Sequence, residues 1–117
     1  MEESILRTVK KICAIDPECD SFDTDIIVFV NSSLATLNQL GVGPEEGFSI
    51  TGDEETWDEF IPDNFVTLDM AKTYICHKTR LAFDPPQSSA VIEAIKTQLA
   101  EVEWRLLVQN NPKEETD

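Results

Sequence analysis

The sequence is poor in the side chains that most enzymes use for catalysis. It has one histidine, three cysteines and four glycines among 117 residues. No phosphate-binding loop, nucleophile elbow or metalloprotease helix motif is present, and the single histidine leaves few choices of general base. We therefore expect that the protein is not an enzyme and that it holds no cofactor.

Long apolar runs are also missing. No stretch approaches the roughly 18 consecutive apolar residues that a transmembrane helix needs, and residues 1–4 contain no apolar signal-peptide segment. Cys13, Cys19 and Cys76 are odd in number and are not closely paired, which indicates free thiols in a reducing compartment. These absences predict a soluble protein that is made in the cytoplasm.

Two groups of potential metal ligands fail the spacing tests. Alternating carboxylates begin at Asp16, but a calcium-binding loop that starts there would need glycine at Ser21 and glutamate at Ile27. The cysteines and His77 match no spacing of zinc ligands, and Cys76 and His77 are adjacent residues that a helix directs to different sides. We expect no metal site and no Cys-His nucleophilic pair.

Basic residues are absent from a long central part of the chain. The sequence has nine bases against 23 acids, for a net charge of −14, and residues 12–71 contain no lysine or arginine. Such a surface repels a phosphate backbone, because nucleic-acid affinity comes mainly from lysine and arginine displacing counterions. We expect no sequence-specific DNA binding. Solubility alone would explain the acidity.

Two helical patterns flank a proline-containing break at residues 83–89. Pro85 and Pro86 supply no backbone N–H and disfavour a helical conformation in the residues before them, so neither helix continues through them. Apolar residues recur at helical spacing before and after the break: Phe65, Leu68, Ala71, Ile75 and Leu81, then Val91, Ile95, Leu99, Val102 and Leu106. The sequence therefore predicts a helical hairpin whose second helix runs from Ser88 to about Val108.

Capping signals locate the helices in the first part of the chain. The first helix is predicted over Ser4 to Cys13, with Ile12 at the end of its apolar face. Asp23 is a good N-cap for a second helix that runs to about Leu40, and Gly41 is suited to end that helix in a left-handed conformation.

The segment from Gly41 to Ile50 is predicted to be an ordered loop, because its glycines and proline are interspersed with apolar residues. Thr51 and Glu54 have the spacing of a capping box. They predict a short helix over Asp53 to Phe60.

A third long helix is predicted before the proline break, with Asp63 or Asn64 as its N-cap. Together these signals predict an all-α domain over residues 1–108, with about four helices, a short extra helix and a terminal helical hairpin. The polar residues 109–117 are predicted to be a disordered acidic tail.

Several aromatic and basic side chains are candidates for contacts with other subunits. Trp57 is flanked by Thr56 and Asp58, and this polar setting predicts an exposed indole that contacts a neighbouring subunit or the loop at residues 41–50. Trp104 lies off the apolar stripe of its helix, so packing within the chain and a subunit contact both stay open for it. The full candidate set is Phe48, Trp57, Phe60, Lys72, Lys78, Arg80, Trp104 and Arg105.

Five features of the sequence follow one another in an order that is typical of one protein family. They are SFDTDII at 21–27, LNQLGVGP at 37–44, Trp57 in its acidic setting, KTRLAFDPP at 78–86, and EWRL at 103–106. In this order they resemble the head-tail connector, or adaptor, proteins of tailed bacteriophages and prophages. The resemblance covers most of the chain.

This resemblance implies a structural role in the virion, at the head-tail junction. Connectors of this kind dock as a ring, generally of twelvefold symmetry, below the portal protein. They extend the DNA channel and provide the surface for a further head-completion or tail protein. An acidic channel lining would let DNA slide without sticking, because like charges repel at short range.

The uneven charge of the chain would also suit a ring. Ring subunits meet through two different surfaces, and an acid-only first half and a mixed second half would supply them. Local pairing within one helix, such as Glu101 with Arg105, explains the basic residues equally simply.

Two alternative functions stay open at this stage. The first is a DNA-packaging accessory protein that contacts the terminase. The second is a small acidic regulator or DNA mimic that occupies the nucleic-acid site of a basic protein through its charge of −14.

Overall fold

The fold is all-α across the described residues. The computed structural model describes residues 4–16, 18–83 and 85–110. Five helices follow one another in this part of the chain: α1 (Ile5–Ile12), α2 (Asp23–Gln39), α3 (Trp57–Phe60), α4 (Phe65–Phe83) and α5 (Ser89–Asn110). The predicted architecture of about four helices, a short extra helix and a terminal hairpin is confirmed.

The helix α4 is central to the domain, because it packs against α1, α2 and α5. One apolar core joins these helices with the loop between α2 and α3. Its buried members are Ile5, Leu6, Val9, Cys13, Ile26, Val30, Leu34, Leu37, Val42, Ile50, Trp57, Phe60, Ile61, Ala71, Tyr74, Ile75, Cys76, Ile95, Leu99 and Leu106.

The apolar face of α1 differs from the prediction at its last residue. Ile12 was expected to face the core, and this is wrong, since its side chain is 49% exposed. The buried residues Ile5 and Val9 are four apart, and the next member of that series is Cys13, which is buried. The buried stripe therefore passes beside Ile12.

A buried ion pair joins α1 to the start of α2. Lys10 is 2% exposed, and its Nζ lies 2.8 Å from Asp23 Oδ1. The prediction that Asp23 is the N-cap is wrong: Asp23 is the first residue of α2, and Phe22 precedes it without a side-chain cap. A buried ammonium requires a counter-charge, which explains why this carboxylate pairs with Lys10 and not with the helix backbone.

The loop between α2 and α3 is ordered, as predicted. Gly41 adopts the left-handed conformation expected after α2, with φ of +87°. Val42 and Ile50 are buried in the core. Asn31 on α2 also fixes the end of the loop, since Asn31 Nδ2 donates to Ile50 O at 3.0 Å and Ile50 N donates to Asn31 Oδ1 at 2.8 Å.

The short helix α3 begins later than predicted. It was expected over Asp53 to Phe60, but the capping box is formed by Thr56 and Glu59, with Thr56 N 3.0 Å from Glu59 Oε1 and Glu59 N 3.3 Å from Thr56 Oγ1. Thr51 makes no such box, because both its backbone N and its Oγ1 donate to Glu55 Oε2. Two overlapping threonine signals compete here, and the second one starts the helix.

The hairpin helices α4 and α5 are capped close to their predicted starts. Asn64 Oδ1 accepts a hydrogen bond from Thr67 N at 3.1 Å, and Ser88 Oγ accepts one from Val91 N at 3.3 Å. The assignment of Phe65 to the apolar stripe is wrong, because its side chain is 80% exposed. Phe65 is the first residue of α4, and the buried positions of this helix begin at Thr67.

The helix α5 runs antiparallel to α4 and ends at Asn110, two residues after its predicted end. A hydrogen bond joins the two helices, in which Tyr74 Oη donates to Glu103 Oε2 at 2.6 Å. The predicted tail lies outside the described residues from residue 111 onward.

Candidate functional site

Trp57 is part of the core and does not lie on the surface. The prediction of an exposed indole is wrong, since the side chain is 2% exposed. Its Nε1 donates to Thr8 Oγ1 on α1 at 3.1 Å, and Lys72 Nζ on α4 lies 5.5 Å from the ring centroid. The polar neighbours of Trp57 in the sequence did not indicate its direction, because the capping box at Thr56 turns the first residue of α3 inward, toward α1 and α4.

Phe48 and Phe60 also pack within the domain. Their ring centroids are 5.3 Å apart; Phe60 is buried and Phe48 is half-buried. A Cβ at Gly43 would lie 2.6 Å from Phe60 Cε1, and Gly43 has φ of +89°. These two rings therefore hold the loop between α2 and α3 on α3, and little of Phe60 is left for a partner.

The three basic candidates on α4 are partly buried. Lys72 lies over Trp57, and Lys78 Nζ is 5.7 Å from the ring centroid of Tyr74. Burial and the nearby Arg80 guanidinium lower the pKa of His77. The cations thus rest against the side chains of the domain and still reach its surface.

The two candidates on α5 face solvent. Trp104 is 64% exposed, so it is not a core residue. Arg105 binds Glu101 through Nη2 at 2.7 Å and Nε at 3.1 Å. The predicted pairing of Glu101 with Arg105 is therefore present, and Trp104 is the candidate whose side chain is most available to another molecule.

A groove runs between α1 and α4 and contains a residue that the sequence pattern had placed in the core. This α1–α4 groove has a volume of about 270 Å³, and it is lined by Thr8, Ile12, Lys72, Thr73, Cys76 and His77. The exposed side of Ile12 gives it an apolar wall. No sequence pattern pointed to this groove, because it depends on how two helices that are distant in the chain pack together.

Basic charge is concentrated on the two helices that form this groove. The helix α1 has three bases and no acid, and α4 has three bases and one acid. The rest of the chain has three bases and 22 acids. Of these bases, Lys72 lines the groove itself, and the Arg80 guanidinium lies near His77, which also lines it.

A second exposed apolar surface lies where α4 begins. Phe65 is 80% exposed and Val66 is 62% exposed. Nearby, residues 41–44 and 59–64 line an open groove of about 420 Å³ together with Thr67. The sequence pattern did not indicate this surface, since its spacing assigned Phe65 to the core.

Catalytic and metal chemistry find little support among the described residues. They contain no cluster of three or more histidine, cysteine or acidic side chains that could hold a metal ion. Burial, together with the nearby Cys13, raises the pKa of the Cys76 thiol to about 12. Such a thiol is a poor nucleophile at neutral pH.

The comparison with known proteins decides between the classes of function that this geometry allows. A family model described as phage connector protein matches residues 5–113. The chain belongs to the phage connector family. Neither the curated proteins nor the solved structures contain a match to it.

Membership in the connector family makes the chain a component of the phage particle with a general head-tail connector role. Across the described residues, no helix is both long and apolar enough to cross a membrane. The exposed surfaces on α1, α4 and α5 are then candidate contacts with other proteins of the phage head and tail.

Proposed function

We propose that this connector assembles as a ring on the phage portal, generally of twelve copies. The ring extends the DNA channel and carries the next head-completion or tail protein. Its role is assembly without catalysis. The family match supports this proposal, and so does the separation of charge between the basic α1 and α4 and the acidic remainder of the chain.

The charge separation is the observation on which the ring depends. A ring needs a heterologous contact, in which one surface meets a different surface on the next copy. A subunit whose bases are concentrated on α1 and α4 and whose acids lie mostly elsewhere meets this requirement, and opposite charges also align the incoming copy. The acidic residues that are not used between subunits are proposed to line the channel, where they keep DNA from binding.

Light-scattering mass tests this proposal directly. The full chain is measured at increasing protein concentration and at several salt concentrations, with and without the purified portal from the same genome. Ring-sized species, or co-migration with the portal, are expected. A strict monomer or dimer that ignores the portal would contradict the proposal and favour the acidic-regulator alternative.

Two further measurements separate the remaining alternatives. Binding to purified terminase but not to the portal would favour a packaging accessory protein. Tight, salt-dependent binding of linear duplex DNA to the assembled ring would contradict the acidic channel lining, because a repelling surface gives no such binding.

A further inference from the structure

The helix α4 separates two exposed surfaces of the domain. Tyr74 faces α5, since its hydroxyl donates to Glu103, while Cys76 lines the α1–α4 groove. Two residues along an α-helix correspond to a rotation of about 200°. The α1–α4 groove and α5 therefore lie on opposite sides of α4.

The side of α5 that points away from α4 is apolar in its second half. We call it the α5 outer face, and it consists of Ala100, Trp104 and Leu107, which are all exposed. The buried residues Leu99 and Leu106 lie on the other side of the helix. Trp104 is of the residue type that most often dominates binding energy at protein interfaces.

The α5 outer face and the α1–α4 groove are complementary in shape and charge. The face projects an exposed indole, and the groove offers about 270 Å³ beside the half-exposed Ile12. Glu93 is exposed on α5, about three helical turns from Trp104 on the same side. Lys72 lines the groove, and the Arg80 guanidinium lies near His77, which also lines it.

We propose that the α5 outer face of one copy packs into the α1–α4 groove of the next copy. This inference rests on the proposed ring and names the contact that builds it. Because the two surfaces lie on opposite sides of α4, each copy can receive one neighbour and bind another. Such a contact repeats from copy to copy. It closes into a ring when the rotations between successive copies add up to a full turn.

The exposed surface at Phe65 is less suited to this contact. Phe65 and Cys76 are 11 residues apart on α4, which is about three turns, so Phe65 lies on the same side of the helix as the groove. A contact between that surface and the groove can form twice between the same two copies, around a two-fold axis. Such a pairing produces a closed dimer and leaves neither surface for a third copy.

Cysteine cross-linking tests the proposed contact in the full-length chain. Cys19 is replaced by serine, and the pair Ile12→Cys and Ala100→Cys introduces one thiol in the groove and one on the α5 outer face. The native Cys13 and Cys76 are buried and should react slowly. A short bismaleimide should then give a ladder of dimers, trimers and larger species.

The single variants are the matched controls for this ladder. Each of them carries only one of the two thiols, so neither should give species larger than a dimer. A double variant that gives only dimers, or no cross-linked product under conditions where rings form, would overturn the proposal.

A substitution series gives a second, independent test. Trp104→Ala should weaken self-association at least about tenfold, as expected for an aromatic residue at the centre of an interface. Val28→Ala is the control, since Val28 is 59% exposed on α2, outside the proposed contact. Circular dichroism should show unchanged helix content in both. A Phe65→Ala variant that loses association while Trp104→Ala keeps it would overturn the proposal.

The two tests also distinguish failure of this contact from failure of the proposed function. If rings form normally in Trp104→Ala, and the double-cysteine variant gives no ladder, this contact is refuted and the connector ring stays intact. Absence of larger species from the unmodified chain, both alone and with the portal, would contradict the contact and the ring together.

Discussion

The buried ion pair between Lys10 and Asp23 gives the sharpest prediction about stability. The two side chains differ strongly in exposure, at 3% for Lys10 and 29% for Asp23. Removing the carboxylate leaves an ammonium that is shielded from water, whereas removing the ammonium leaves a carboxylate that water can partly reach. The two single substitutions should therefore have unequal costs.

The expected loss of unfolding free energy for each substitution follows from the burial of each partner in the ion pair. Breaking a buried pair by removing one partner costs about 3 to 5 kcal/mol. Asp23 is partly exposed and Lys10 has further interactions, so we expect about 2 to 3 kcal/mol for Asp23→Asn. Lys10→Met keeps an apolar side chain of similar length and should cost about 1 kcal/mol or less.

Urea unfolding, followed by circular dichroism, measures both free energies. Asp25→Asn is the matched control, because Asp25 is the other acid in the first turn of α2 and reports the helix-dipole contribution alone, about 0.3 to 1 kcal/mol. The double variant of Lys10 and Asp23 should cost less than the sum of the two single variants. Equal costs for the two single variants, or a larger cost for Lys10→Met, would refute this reasoning.

Two further predictions concern the loop and the hairpin. Gly43→Ala should destabilise the fold by about 2 kcal/mol or more, and Gly47→Ala by about 1 kcal/mol, in thermal or urea unfolding. Both glycines have positive φ, but only a Cβ at Gly43 would meet Phe60. Equal costs for the two substitutions would contradict this clash. Burial and the hydrogen bond to Glu103 raise the pKa of Tyr74 above its ordinary value, so its stabilising contribution is complete below about pH 10 and is lost at higher pH. Tyr74→Phe should cost about 1 to 2 kcal/mol of unfolding free energy at neutral pH. Between neutral pH and about pH 11, this variant should lose less stability than the unmodified chain. An unchanged pH dependence of unfolding would contradict this role of the Tyr74 hydroxyl.

The helical hairpin could be predicted from the sequence because its signals are local. Two prolines stop one helix, Ser88 caps the next, and the apolar spacing on α5 identifies the buried residues Ile95, Leu99 and Leu106. Gly41 ended α2 in the left-handed conformation for the same reason. Each of these features depends on a few neighbouring residues and little on the rest of the fold.

The errors arose where a distant part of the chain decides the outcome. Asp23 has the side chain of a good N-cap, but the buried Lys10 on another helix takes its carboxylate. Trp57 has polar neighbours in the sequence, but α1 and α4 provide a buried site for its indole and a hydroxyl for its Nε1. Phe65 fits an apolar stripe by spacing, but no other element covers the first turn of α4 at that point.

The candidate surfaces could be predicted only in part. Trp104 was set apart because it lies off the apolar stripe of its helix, and it is exposed. The α1–α4 groove was not predicted, because its walls come from residues 8–12 and 72–77, which only the tertiary structure brings together. A sequence pattern reports the direction of a residue on its own helix and does not report which helix lies opposite.

Electron microscopy of the chain mixed with purified portal is the most direct test of the central claim, that this connector forms a ring on the portal. We expect an additional ring, coaxial with the portal and generally twelvefold, with a continuous central channel. Portal rings that look the same with and without the chain, at a chain concentration high enough for assembly, would contradict it.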